Sequence, residues 1–346
     1  ALDFCDGEWV SDEPLPDSYF ALRDRLEGHR FDNIAAGMQN WATDLTKKWV
    51  DHWIHETGRT GVCFSGGLSM NIKSNGELLD LPKLDWLSVP ASGGDESLCV
   101  GACFASHAQK SEIVPMAHVY LGETPQCSHE DWSARLDETT MTAQDFTIVE
   151  DVGPAGIAKL LAADWIVARC VGAAEFGARS LGNRTILANP ANAANVKRIN
   201  DAIKNRDFWM PFTPSIMAEY ADYYIENPKS NISPYMTLGF YSKADVRDQI
   251  IGGLHAADFS ARPQYVLGDT NSSFWDIIDE FRKLTGIPAL VNTSLNLHGE
   301  PMNYSLADAV RTVAMSDLSI LSMPGDQLLC KNAAIEALRS ELALFS

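Results

Sequence analysis

Short apolar runs of strand length alternate along this chain with stretches whose apolar residues recur every three or four positions, and glycines punctuate the junctions. That alternation constrains the fold more than any other feature. Strand, glycine turn and helix in repeated succession build layered α/β proteins. A helix is expected over residues 34–55, where Met38, Trp41, Leu45, Trp49 and Trp53 share a face. A strand at 61–64 then runs into Gly66 and Gly67, and a second strand is expected at 84–89. The loop PASGGD, residues 90–95, opens into a helix over 96–107 that is small and apolar on one face. Residues 108–128 read as a linker, with Pro115 and Pro125, and Ser128 begins another helix. Further on, helices are expected at 154–163, 193–203, 275–285 and 306–314, and strands at 165–171, 287–291 and 318–321. No internal repeat is present.

Composition excludes several functional classes. A formal net charge of -19 argues against nucleic acid as a bulk partner and against an anionic membrane surface, because both require a basic face. Apolar content of 46% is ample for a core, and no apolar run approaches the ~20 residues of a membrane helix. Seven scattered cysteines do not read as a disulfide framework, so a reducing, cytoplasmic compartment is expected. Cys99 and Cys103 stand one helical turn apart, but no second ligand pair accompanies them for zinc.

The chemistry concentrates in GAAEFGARSLGNRT, residues 172–185, between an expected strand and an expected helix. Gly172, Gly177 and Gly182 free backbone N–H groups to face a ligand, while Arg179 and Arg184 offer planar forks to phosphate or carboxylate. Lys204 and Arg206 follow in NDAIKNR. From 168 to 206 there are seven Lys or Arg and two acidic residues, a local excess that suits a small anionic ligand. Solvated helix faces and ion pairs would give the same count. A second cluster, NTSLNLHGEP at 292–301, offers Asn292, Asn296 and His298 to a ribose, base edge or phosphate, or else forms a hydrogen-bonded turn.

These stretches bring in a family. EFGARSLGNR resembles the EFGPRALGNR signature of the nodulation and antibiotic-biosynthesis O-carbamoyltransferases. WMPFTPS at 209–215 resembles their WRPFAPS segment, residues 292–301 resemble their NTSFN…HGEP element, and Arg262-Pro263-Gln264 looks like a further element. In the first part, FSGGLSMN at 64–71 resembles GGVALN, and residues 90–95 resemble the stretch before its helix. The resemblance runs in register over nearly the whole chain.

It implies an α/β fold: the C-terminal portion of a Kae1-like, actin/hexokinase-like ATPase domain over residues 1–112, then a YrdC-like domain over 113–346. It implies ATP-dependent transfer of a carbamoyl group from carbamoyl phosphate, through carbamoyl adenylate, to a hydroxyl of a sugar or natural product. Arg179, Lys204 and His298 would carry catalysis. Gly66, Gly67, Asn71, Gly177, Arg184, Arg206, Arg262, Asn292 and Asn296 would line the ATP and donor sites. Asp95 would match a ligand of a divalent metal, iron or magnesium, although an acid opening a helix is also a plain N-cap. The chain corresponds to the C-terminal two-thirds of such an enzyme. The N-terminal portion with its metal-binding histidines would come from a partner chain or from the same polypeptide, and a homodimer is also expected. His52 and His55 do not match those histidines, so the metal ligand set is incomplete here. Met210 stands where the family has arginine, and a thioether cannot neutralise phosphate. Two alternatives stay open: a nucleotide-binding subunit without turnover, and a threonylcarbamoyl-type adenylate-forming tRNA modifier.

Overall fold

A computed structural model describes residues 2–11, 18–204 and 210–343. The first part opens with an antiparallel hairpin, β1 (Leu2–Cys5) and β2 (Glu8–Ser11), and a short helix α1 (Ser18–Leu26). Helix α2 (Phe31–Thr57) ends where Gly58 takes the left-handed conformation and its N–H caps the Ile54 carbonyl. Next come β3 (Gly61–Cys63), α3 (Ile72–Leu78), β4 (Trp86–Ser88) and α4 (Leu98–Ala108), with β3 and β4 paired in parallel.

The second part runs α5 (His129–Ser133), β5 (Phe146–Val149), α6 (Pro154–Ala162), β6 (Val167–Cys170), β7 (Arg184–Ala188), α7 (Ala194–Ile199) and β8 (Thr213–Met217). It continues with α8 (Ala221–Tyr224), β9 (Ile225–Glu226), β10 (Phe240–Ser242), α9 (Arg247–Ile250), β11 (Ser260–Ala261) and β12 (Gln264–Val266). Helix α10 (Ser272–Thr285), β13 (Ala289–Ser294), α11 (Leu306–Ala314), β14 (Ile320–Met323), β15 (Gln327–Lys331) and α12 (Ile335–Ala343) complete it. Among the described residues these strands form an eight-stranded mixed sheet, ordered β12-β8-β13-β7-β6-β14-β15-β5.

The sheet is buried on both faces, and side chains alternate between them as strand geometry requires. Ala168, Ile186, Ala188 and Val291 pack with Val310 and Val313 of α11. Val167, Leu187 and Leu290 pack on the other side with Leu160 and Leu161 of α6 and Phe274, Ile278 and Phe281 of α10. A third cluster joins the two parts of the chain. Val50, Ile54, Leu78, Leu79 and Leu87 pack with Ile216, Tyr224, Leu238, Phe240 and Tyr265. This cluster draws residues from both sides of the expected 112/113 boundary.

Several expectations shift. Helix α2 buries Leu45, Val50 and Ile54, while Trp41 and Trp53 of the expected apolar face stay exposed. Helix α4 buries none of its residues, and Leu98 is 69% exposed, so its apolar face has no cover among the described residues. The helix expected over 193–203 stops at Ile199 and widens into a π-turn, Asn200–Lys204, which re-aims Lys204. The strand expected to end at 291 continues to Ser294, because Asn292 finds hydrogen-bond partners inside the fold. The expected linker is docked: Val119 is buried, and the Tyr120 hydroxyl donates to the Leu181 carbonyl at 2.9 Å.

Candidate functional site

The loop between β6 and β7, residues 172–183, is wound around a carboxylate. Glu175 is 6% exposed, and its Oε1 accepts backbone N–H groups of Leu181 (2.7 Å), Asn183 (3.0 Å) and Arg184 (3.2 Å). Arg169 on β6 holds the same turn from the other polarity. It donates to the Gly182 carbonyl, to Asn183 Oδ1 (2.9 Å) and to Ser273 Oγ (2.7 Å). Burial pushes the Arg169 guanidinium down to about 10, while the charge of Glu175 pulls the other way. Burial likewise pushes the Tyr120 hydroxyl upward.

Arg184, 0% exposed, donates to the carbonyls of Tyr304, Gly172, Asn183 and Glu123. It ties loops together inside the protein, serving four backbone carbonyls from one buried guanidinium. Gly177 sits at the other end of the loop with φ +114, and a Cβ there would lie 2.9 Å from the Ala91 carbonyl oxygen. This glycine lets the loop press against residues 91–92 of the first part. Arg179 lies between these anchored points and is partly exposed.

The 292–301 cluster lies beside this loop. Asn292 is buried, donating to the Ser180 carbonyl (3.2 Å), Ser215 Oγ (3.0 Å) and Gln264 Oε1 (3.1 Å), and accepting from the Thr185 and Ser180 hydroxyls. It too ties the interior of the fold together. Opposite Asn292 across the strand pair, Thr213 Oγ1 accepts from Arg262 Nη2 at 3.1 Å. Arg262 thus reaches Thr213 on β8, while Ser180, the residue after Arg179, is bound to Asn292 on β13.

The π-turn delivers Lys204 to this cluster. Its ammonium, 1% exposed, donates to Asn296 Oδ1 (2.7 Å), Ser294 Oγ (3.2 Å) and the carbonyls of Ser294 and Asn296. The Asn296 amide donates in turn to the Leu297 and Glu300 carbonyls, at 2.9 and 2.8 Å. His298 is exposed, and its Nδ1 lies 2.7 Å from the Lys204 carbonyl oxygen. A carbonyl only accepts, so Nδ1 carries the proton and Nε2 is left as an acceptor on the surface.

In the first part, the Gly66 N–H donates to the Gly93 carbonyl, and the Gly66 carbonyl accepts from the Ser69 N–H and hydroxyl. Gly66 has φ +101, and neither it nor Gly67 has an atom within 4 Å of where a Cβ would stand, so both faces lie open to an approaching group. Asn71 caps α3 at the Ser74 N–H and accepts from Gln39 Nε2 at 3.1 Å. Asp95 is exposed at the start of a 3-10 turn. Among the described residues no three His, Cys, Asp or Glu side chains converge in a way that could hold a metal ion. Arg206 lies outside the described residues. Met210 is 44% exposed.

Sequence reasoning passed over Glu175, although a signal was there: it is the sole acidic residue of a glycine-rich, cationic loop. It also passed over Ser294 and Thr213, whose roles depend on strand pairing that no local pattern reveals.

A protein-family profile described as "Carbamoyltransferase C-terminus" matches residues 158–331. Nodulation protein NolO of Bradyrhizobium diazoefficiens is 31% identical over 303 residues, 83% of this chain and 52% of that protein. Uncharacterized protein MJ1051 of Methanocaldococcus jannaschii is 32% identical, over 86% of this chain and 56% of its own length. Nodulation protein NolNO of Sinorhizobium fredii is 32% identical, over 90% of this chain and 46% of its own length. The chain spans about half the length of these curated relatives. A solved structure of full-length HypF in its phosphate- and nucleotide-bound form aligns over 54% of this chain and 22% of that one, with a TM-score of 0.33 and 15% identity, too slight a likeness to build on.

Proposed function

The chain belongs to the carbamoyltransferase family, and from that premise we propose that the protein containing it uses ATP and carbamoyl phosphate to form carbamoyl adenylate and transfers the carbamoyl group to a hydroxyl of a small molecule. One observation carries the reading. Two loops rich in donors, 172–183 and 292–301, meet at the ends of β7 and β13, with Arg179 in the first, Arg262 bound to Thr213 opposite Asn292, and His298 beside Lys204. Both substrates are anionic, so the chemistry needs cations and backbone donors held in advance rather than recruited. Activation must release phosphate from the donor and pyrophosphate from ATP. One water is consumed as the donor's C–O bond is cleaved, and a carbamate oxygen joins the α-phosphorus. Arg179, Arg262 and the Gly177 peptide would neutralise phosphate charge. His298 Nε2 would accept a hydrogen bond from the nucleotide. Gly66 and Gly67 would admit a nucleotide to the second, acceptor-side site.

In this reading the first part is a portion of a Kae1-like domain and the sheet belongs to a YrdC-like domain. The exposed apolar helix α4 would be covered by the remainder of that first domain, on a partner chain or on the same polypeptide. A second reading, a nucleotide-binding subunit without turnover, is favoured by one observation: the Lys204 ammonium is already surrounded by Ser294 and Asn296. The two separate in one assay, ATP–pyrophosphate exchange by the intact protein. Exchange that appears only with carbamoyl phosphate supports the enzyme. Nucleotide binding without exchange supports the second reading, and exchange that ignores carbamoyl phosphate contradicts both.

A further inference from the structure

We infer that Glu175 is a positioning residue that acts through Arg179, an inference that rests on the anion-site reading above. Its carboxylate is buried, and Oε1 gathers three donors from one turn, the N–H groups of Leu181, Asn183 and Arg184. Three N–H groups converging on one oxygen define the path of the turn that leaves Arg179. Oε2 is buried and has no hydrogen-bond partner. A carboxylate kept in that state is costly, and it persists only where its charge has a use. The charge of Glu175 is felt by Arg169, and two cations are bound to the same turn. Arg169 holds the Gly182 carbonyl and the Asn183 side chain, and Arg184 holds the carbonyls of Gly172 and Asn183.

The turn is therefore gripped by its N–H groups from an anion and by its carbonyls from two cations. What stays outside the grip is the segment between Glu175 and Leu181, which contains Gly177 and Arg179. Its two ends are fixed, by the Phe176 N–H donating to the Val119 carbonyl at 2.7 Å and by Ser180 bound to Asn292. Arg179 is the one cation of this segment. Displacing the turn moves Arg179 and the Gly177 peptide relative to Arg262, so the carboxylate sets the spacing of the anion site without touching the anion. A misplacement of about 1 Å in such a site costs on the order of a hundredfold.

The test is a double-mutant cycle on the intact protein, with inorganic pyrophosphate as the probe and calorimetry as the readout. Wild type, Glu175→Gln, Arg179→Ala and the double variant are titrated, and each is melted alongside. Glu175→Gln keeps the shape and removes the charge. The inference expects at least a tenfold weaker pyrophosphate complex in Glu175→Gln, and a double variant no weaker than Arg179→Ala alone. Additive losses, or a Glu175→Gln loss that tracks only a lowered Tm, would overturn it, since a carboxylate that merely stabilises the fold does not act through one arginine. Should Glu175→Gln not fold, Glu175→Asp retains the charge, withdraws the acceptor by one methylene, and is read in the same cycle. Wild-type protein that fails to bind pyrophosphate overturns the anion-site reading together with this inference. Binding that Glu175→Gln leaves intact overturns the inference alone.

Discussion

Arg184 shows how a residue type suited to a ligand can be held for the fold instead. Its guanidinium has five N–H donors, and the structure uses them on four backbone carbonyls at full burial. Replacement by alanine would leave those carbonyls without a charged donor and Glu175 without one of its neighbouring cations. A loss of about 3–5 kcal/mol in unfolding free energy is expected by chemical denaturation. Arg184→Lys should fall between, because an ammonium cannot span four acceptors in a plane. An Arg184→Ala variant as stable as wild type but unable to bind nucleotide would restore the ligand role. Residue type and local composition did not separate Arg184 from Arg179. Both are arginines in a glycine-rich loop, and only the antiparallel pairing of β6 with β7 turns one inward.

At the scale of elements, caps were the most legible feature. Ser128 and Ser305 both form capping boxes, with Asp131 and Asp308 as third residues. Burial alone would raise the Asp308 carboxyl, but the Ser305 N–H and hydroxyl and the Arg135 guanidinium outweigh it and hold it below its ordinary 3.8. A depressed carboxyl contributes stability that is present above its unfolded value and lost as pH falls through the folded one. The protein should therefore lose stability below pH 3.8, and Asp308→Asn should flatten that loss in acid-denaturation curves. Ser305→Ala should cost about 1 kcal/mol near neutral pH, measured by urea unfolding. Less legible were elements whose limits depend on tertiary partners. The π-turn at Asn200–Lys204 exists because Lys204 reaches Ser294 and Asn296, residues 90 or more positions away in sequence. The extension of β13 through Asn292 rests on the Ser180 carbonyl of the 172–183 loop and on side chains of β8 and β12.

For the whole molecule, alternating apolar runs were enough to indicate α/β layers, and the motifs were enough to indicate the family. They did not reveal how the two parts are joined, because a core shared between segments more than a hundred residues apart leaves no local pattern. Leu78, Leu79 and Leu87 pack with Tyr224, Phe240 and Tyr265. Expression of residues 113–343 alone should accordingly expose that cluster, giving a species that binds a hydrophobic dye and unfolds with low cooperativity. A compact, cooperatively folding 113–343 fragment would show that the shared core is dispensable. No helix among the described residues is long and apolar enough to cross a membrane. The most direct measurement is calorimetric binding of ATP to the intact protein, with and without carbamoyl phosphate, in wild type and in Arg179→Ala. Coupled binding, tighter with both substrates together and lost in Arg179→Ala, is the predicted result. ATP binding that is indifferent to carbamoyl phosphate and to Arg179 would contradict the assignment of donor activation to the 172–183 and 292–301 loops.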